Sequence, residues 1–260
     1  MFKPEAGQWY EMPAMFGKSV LPPQTTYDEV RSIAHRFITD ASALEPFVPY
    51  HFRLAEPATV TVIGNTLIGV DYLAGRNCQT VRVSIDAEYH QGGDVLRAPY
   101  GLVVWESDPA PVIAGREHLG ISKLVAQVPE HERGEGSAAF ECYEYGTRLL
   151  RVDVSGLTSV DLGPEPAREA EWVTLGWKYS PGPGGTVDAD YPTKMVARTT
   201  VRRRWTGVSA IRWDQPTWEQ APISARIIDA LAALPVVEVL PATVTQTVGT
   251  LDRAASARLG

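Results

Sequence analysis

The stretch TVRVSIDAEY at residues 80–89 decides its own local structure. Val81, Val83, Ile85 and Ala87 fall on one face, with polar and charged residues between them. A period of two marks a half-buried strand. ATVTVIGN (58–65) repeats the pattern, and YGLVVWES (100–107) reads as a more fully buried strand. AAFECYEYG (138–146) and RLLRVDVSGL (148–157) are separated by Gly146-Thr147, which predicts a hairpin. EWVTLGWKYSP (171–181), KMVARTTVRRRWTGVSAIRW (194–213) and VVEVL (236–240) are strand-like, with Gly207 expected at a bulge or bend. Helical signals are few. SARIIDALAAL (224–234) has Ser224 as N-cap and Ile227, Ile228, Leu231 and Leu234 at helical spacing, and Pro235 stops it. TDASALEPFVP (39–49) predicts a short helix capped by Thr39 or Asp40. Many strands and few helices predict a mainly β (α+β) fold, an antiparallel barrel or sandwich with peripheral helices.

The rest of the chain sets the limits of that domain. Residues 1–26 are expected to be irregular, broken by Pro4, Pro13, Pro22 and Pro23, and SPGPGG (180–185) reads as a loop. With no internal linker or repeat, residues 1–260 are expected to form a single domain. A chain of 260 residues, 44% of them hydrophobic, can enclose an internal pocket. The net charge of −7 argues against nucleic-acid binding. No apolar run reaches the length that spans a bilayer, and MFKPEAGQWYEMP has no apolar core of a secretory signal. Two cysteines, Cys78 and Cys142, are too few for a disulfide framework, so a cytoplasmic location is expected.

Most familiar chemistries lack their residues. The histidines and cysteines have no metal-ligand spacing, so no metal site is expected. There is no G-x-S-x-G elbow, and GPGGT lacks the end of a phosphate loop. Lysine remains. Only five of the 24 basic residues are lysines, and one of them, Lys123, stands in GREHLGISKLVAQV (115–128) among Ile121, Leu124, Val125 and Ala126. One reading is an amphipathic strand with Lys123 in solvent. The other is a lysine that loses its proton in apolar surroundings and attacks a ketone. The protonated imine is then an electron sink for carbon–carbon chemistry, and no cofactor is needed.

The segment PAPVIAGREHLGISKLVAQV (109–128) resembles the acetoacetate decarboxylase family, in which the imine-forming lysine lies eight residues after the glycine of Gly-Arg-Glu. Counting from Gly115 leads to Lys123 without a gap. WTGVSAIRW (205–213), LPVVEVLPATVTQTVGTLDRA (234–254) and TDASALEPFVP resemble three further family segments, in the family's order. The resemblance implies a closed antiparallel β-barrel or cone around an apolar cavity holding the lysine, and a homo-oligomer of tetramer size or larger.

Two departures bear on the reaction. The decarboxylases follow the first lysine with a second, whose charge helps to deprotonate it; here the next residue is Leu124, which leaves desolvation alone to do so. An alignment that needs an insertion lays YLAGRNCQTV (72–81) across the family's acidic site position, with Arg76 on it. An arginine there would hold a carboxylate instead of repelling it. The resemblance therefore implies a lyase acting on a 2-oxo acid, a pyruvate-type aldolase–dehydratase or hydratase, with an aldehyde as possible second substrate. Arg76, with Arg116 as second candidate, would hold the carboxylate, and Tyr72 and Gln79 would line the substrate site. Lys123 would form the imine, and Glu117 or Glu106 would move protons. Two alternatives stay open. One is decarboxylation of a 3-oxo acid. The other is a non-catalytic or cyclase-like small-molecule-binding barrel of secondary metabolism.

Overall fold

The computed structural model describes residues 1–163 and 169–260. The strands are β1 (Gln24–Ile38), β2 (Arg53–Leu54), β3 (Thr59–Val70), β4 (Arg76–Gln91), β5 (Asp94–Glu106), β6 (Lys123–Val125), β7 (Glu132–Gly134), β8 (Ser137–Glu144), β9 (Thr147–Ser159), β10 (Glu169–Pro181), β11 (Val187–Trp213) and β12 (Glu238–Arg258). Three α-helices accompany them: α1 (Ala41–Leu44), α2 (Pro109–Leu119) and α3 (Ala225–Ala232). None is long and apolar enough to cross a membrane, among the described residues.

The hydrogen-bonded order is β10-β5-β4-β3-β1-β12-β11-β9-β8-β7, with β2 on β4 and β6 on β5. β10 also pairs with β11 along nearly its whole length, so the path from β10 through β5 to β11 returns to its start. The seam between β10 and β5 is a single parallel bridge, Leu175 to Tyr100. The mainly β fold with peripheral helices is as expected. The sheet wraps round on itself, with one bridge at its seam.

The alternation in β4 sorts the two faces. Val81, Val83, Ile85 and Ala87 are at most 1% exposed, and they pack into one core with Phe140, Leu149, Leu150 and Val152 of β8 and β9 and with Ile228 and Leu231 of α3. The opposite face of β4 carries Cys78, Thr80, Arg82 and Ser84. Asn65 of β3 donates to Thr80 Oγ1 at 3.1 Å and accepts from Ser32 Oγ of β1 at 2.8 Å. Arg82 reaches Thr174 of β10 across β5, so this polar face looks into the ring.

Several local expectations shift. β1 begins at Gln24, inside the segment expected to be irregular. The β8–β9 turn is Tyr145-Gly146, one residue earlier than expected, with φ of 48° and 79°. That is the left-handed pair a tight hairpin requires. Gly207 does sit at a register break, between Thr206 and Val208. Asp40 caps α1 through Ser42 N. Ser224 precedes α3 but does not cap it with its side chain. Its Oγ accepts from Trp105 Nε1 at 2.9 Å, and the buried Glu144 carboxylate takes the Ile223 and Ser224 amides instead. Glu144 thus supplies the negative charge that a helix N-terminus favours.

Candidate active site

The residues after β5 form a tight excursion that returns the chain beside the strand it left. Asp108 caps α2 by accepting from Ala110 N, and Pro109 occupies the first turn. Gly120 ends the helix at φ 65°, where a Cβ would lie 2.5 Å from the Lys178 backbone. Lys178 Nζ donates to the carbonyls of Arg116 and Glu117, satisfying groups that a helix end leaves open. α2 has no counterpart among the elements expected from the sequence. β6 then pairs in parallel with the end of β5, Lys123 beside Val104 and Val125 beside Glu106.

That register turns Lys123 inward, against the solvent-facing reading. Its side chain is 17% exposed, and its Nζ lies 2.7 Å from Oε2 of Glu106, which is 2% exposed. The ammonium approaches too obliquely for a hydrogen bond, so Oε2 has no hydrogen-bond partner among the described residues. Nζ donates to the Pro111 carbonyl at 3.0 Å. The Cys78 thiol lies 3.5 Å from Glu106 Oε1. Burial, reinforced by the Glu106 charge, pushes that thiol up to about 12. The same two causes hold the Tyr27 phenol well above its usual range, and burial with the charges of Tyr27 and Glu106 does so for Tyr72. All three stay protonated, and the Cys78 thiol donates to Glu106 Oε1.

Gly115 explains itself here. A Cβ on it would lie 2.7 Å from Lys123 Cδ and Cε and 3.1 Å from Nζ. The glycine is the slot for the lysine stem. Gly115→Ala is expected to leave the thermal midpoint almost unchanged, because a flexible side chain can yield. If Lys123 forms an imine with a 2-oxo acid, as the family resemblance implies, the variant should slow that step by about 10²-fold, the effect of a misplaced reacting group. Unchanged trapping kinetics would remove this role.

The other sequence candidates are placed differently. Tyr72 packs against the small cluster of Val70, Leu73 and Cys78, and Gln79 Oε1 accepts from Ser107 Oγ, which also lies 3.8 Å from the Cys78 sulfur. Arg116 is exposed and donates to the Lys123 backbone carbonyl at 3.0 Å. Glu117 is exposed and accepts from Met12 N at 3.2 Å, away from Nζ. Arg76 is exposed and donates to the Leu73 carbonyl. Tyr27, Cys78 and Gly115 were not singled out for the site. Cys78 shares the inner face of β4 with Thr80, which the alternation could have flagged.

Two clefts flank β6. One, of about 890 Å³, contains Lys123 together with Ser107, Val112 and Gln127. The other, of about 950 Å³, has Tyr100, Trp177, Tyr179 and Ile227 on its walls and lacks Lys123. The first is the cleft that reaches Lys123, and Glu106 lies behind the lysine, 2% exposed, on the wall of neither.

The wrapped sheet thus places a lysine–carboxylate pair behind a cleft of small-molecule size. The chain matches the acetoacetate decarboxylase family over residues 11–258, and it belongs to that family. No curated protein sequence matches it. Among solved structures it resembles an acetoacetate decarboxylase, with a TM-score of 0.75 at 13% identity over 96% of this chain and 94% of that one. It also resembles the enduracididine biosynthesis enzyme MppR complexed with pyruvate, with a TM-score of 0.73 at 15% identity over 98% and 99%. MppR complexed with the condensation product of pyruvate and imidazole 4-carboxaldehyde gives 0.70 at 15% identity, over 98% and 97%.

Proposed function

We propose that this protein is an imine-forming lyase that acts on a 2-oxo acid through Lys123 and condenses it with an aldehyde. The observation that carries the reading is the buried pair, Lys123 Nζ 2.7 Å from Glu106 Oε2. Glu106 accepts a proton from the ammonium, and the free amine attacks the oxo carbon. Loss of water from the carbinolamine leaves a protonated imine, which acidifies C3. Transfer of a C3 proton to a nearby base gives the enamine. The enamine adds to the aldehyde carbon, and loss of water gives the unsaturated product before hydrolysis frees Lys123. The MppR complexes with pyruvate and with its aldehyde condensation product support the substrate class. A homo-oligomer of tetramer size or larger, in the cytoplasm, belongs to the same proposal. Borohydride trapping with a panel of oxo acids, read by intact mass, tests the chemistry. A wild-type protein that gives no adduct with any of them would sink it.

One observation favours the second reading, decarboxylation of a 3-oxo acid. Glu106 beside the imine would repel a substrate carboxylate and favour its departure as carbon dioxide. Leu124 speaks against this. It alternates away from Lys123 on β6 and packs against the hydrophobic core, where decarboxylases have a second cation. We expect no carbon dioxide from acetoacetate above the buffer rate, with wild type or with Leu124→Lys. Robust release by the wild type would promote the decarboxylase.

A further inference from the structure

We propose that Arg82 forms a carboxylate-binding subsite inside the ring, facing Lys123, and so selects substrates with a carboxylate beside the reacting carbonyl. This deepens the imine-forming reading and rests on it. Arg82 pairs with Val104 in register, and Val104 pairs with Lys123. The three side chains therefore share one face, and the two cations stand two strands apart, about 10 Å between α-carbons. An oxo acid bridging them would meet the amine at its carbonyl and the guanidinium at its carboxylate.

Arg82 is poorly served by the protein. Its one hydrogen bond, Nη1 to Thr174 Oγ1, is long at 3.5 Å. Its Nε is buried without a partner, and no carboxylate pairs with it among the described residues. Glu106, its diagonal neighbour on β5, is turned to Lys123 and Cys78 instead. Burial works against its charge. Yet the side chain keeps partial access to solvent. A buried guanidinium without a counter-ion is costly, and it remains charged. An incoming carboxylate would satisfy it through two parallel N–H donors. Arg76, on the surface and bound to Leu73, offers no such vacancy.

The test compares wild type, Arg82→Gln and Arg82→Lys in the full chain. Borohydride trapping is measured against the concentrations of pyruvate and of acetone. Arg82→Gln should raise the half-saturating pyruvate concentration about tenfold or more, the usual worth of a charge-assisted pair, and leave that of acetone unchanged. Arg82→Lys should fall between. Equal changes for both ketones, or none for either, would overturn the subsite. A second measurement does not depend on the imine: calorimetric titration of pyruvate into Lys123→Ala and Lys123→Ala/Arg82→Gln. Binding by the first and not the second supports the subsite even if the wild type never forms an adduct, an outcome that would sink the imine reading alone. Equal binding, or binding by neither, overturns it. Neutralising an unpaired buried cation should not lower the thermal midpoint. If Arg82→Gln fails to fold, Arg82→Lys carries the comparison between pyruvate and acetone.

Discussion

Lys123→Ala should abolish the reduced adduct that pyruvate and borohydride leave on the protein, and condensation activity with it. Its Nζ is the group placed between Glu106 and Pro111 at the cleft, and alanine supplies no amine. Lys123→Arg should be equally inactive, because a guanidinium keeps its proton and cannot attack a carbonyl. The adduct should map to the tryptic peptide that contains Lys123. An adduct of equal yield on the alanine variant would mean that another lysine reacts. Lys178 would be the first to check, since burial lowers its proton affinity, although its Nζ is occupied by two carbonyls.

Glu106→Gln should slow imine formation by about 10²–10⁴, the usual contribution of a positioned proton acceptor. The variant should also be less stable, because removing one partner of a buried pair leaves the other charge unmatched, at a cost of about 3–5 kcal/mol. The two effects separate in Glu106→Gln/Lys123→Met, which should recover thermal stability and remain inactive. Trapping rates near wild type in Glu106→Gln would dismiss Glu106 as the proton acceptor. Glu117→Gln would then be the variant to measure.

The sheet was legible where one face is buried. The alternation of 80–89 identified the core residues of β4, because Val81, Val83, Ile85 and Ala87 meet one continuous apolar layer. α2 was not legible. PAPVIAGREHL has two prolines, a glycine and little amphipathic character, and it is helical because its two ends are fixed by Asp108, Gly120 and Lys178. β1 was missed for a related reason. Its sequence, QTTYDEVRSIAHRFI, is rich in charge, and pairing with both β3 and β12 imposes the strand. The turn at Tyr145-Gly146 was misplaced by one residue, since a tyrosine with φ of 48° is uncommon and local sequence does not announce it. Lys123 was found by its spacing from Gly115. Glu106 was one of two carboxylates named for proton transfer. Its preference over Glu117 depends on the parallel register of β6 on β5, which no local pattern encodes. Arg82 was hidden among the polar positions of a well-predicted strand. Its lack of a counter-ion is a property of the neighbours that folding brings, or fails to bring.

Glu106, Pro111, Gly115 and Lys123 all belong to the single excursion from the end of β5 through α2 into β6. In the proposed reaction, the proton acceptor, the carbonyl that steadies the amine, the slot for its stem and the amine itself thus travel together as one contiguous piece of chain. Tyr27, Cys78 and Arg82 come from β1 and β4. The proposed reactivity and selectivity would thus reside in separable parts of the chain. On the proposed reading, changes at Arg82 of β4 would redirect which acid is accepted and leave the groups that make the imine in place. An engineer wanting a new substrate for this scaffold would begin on those strands and leave residues 106–123 alone.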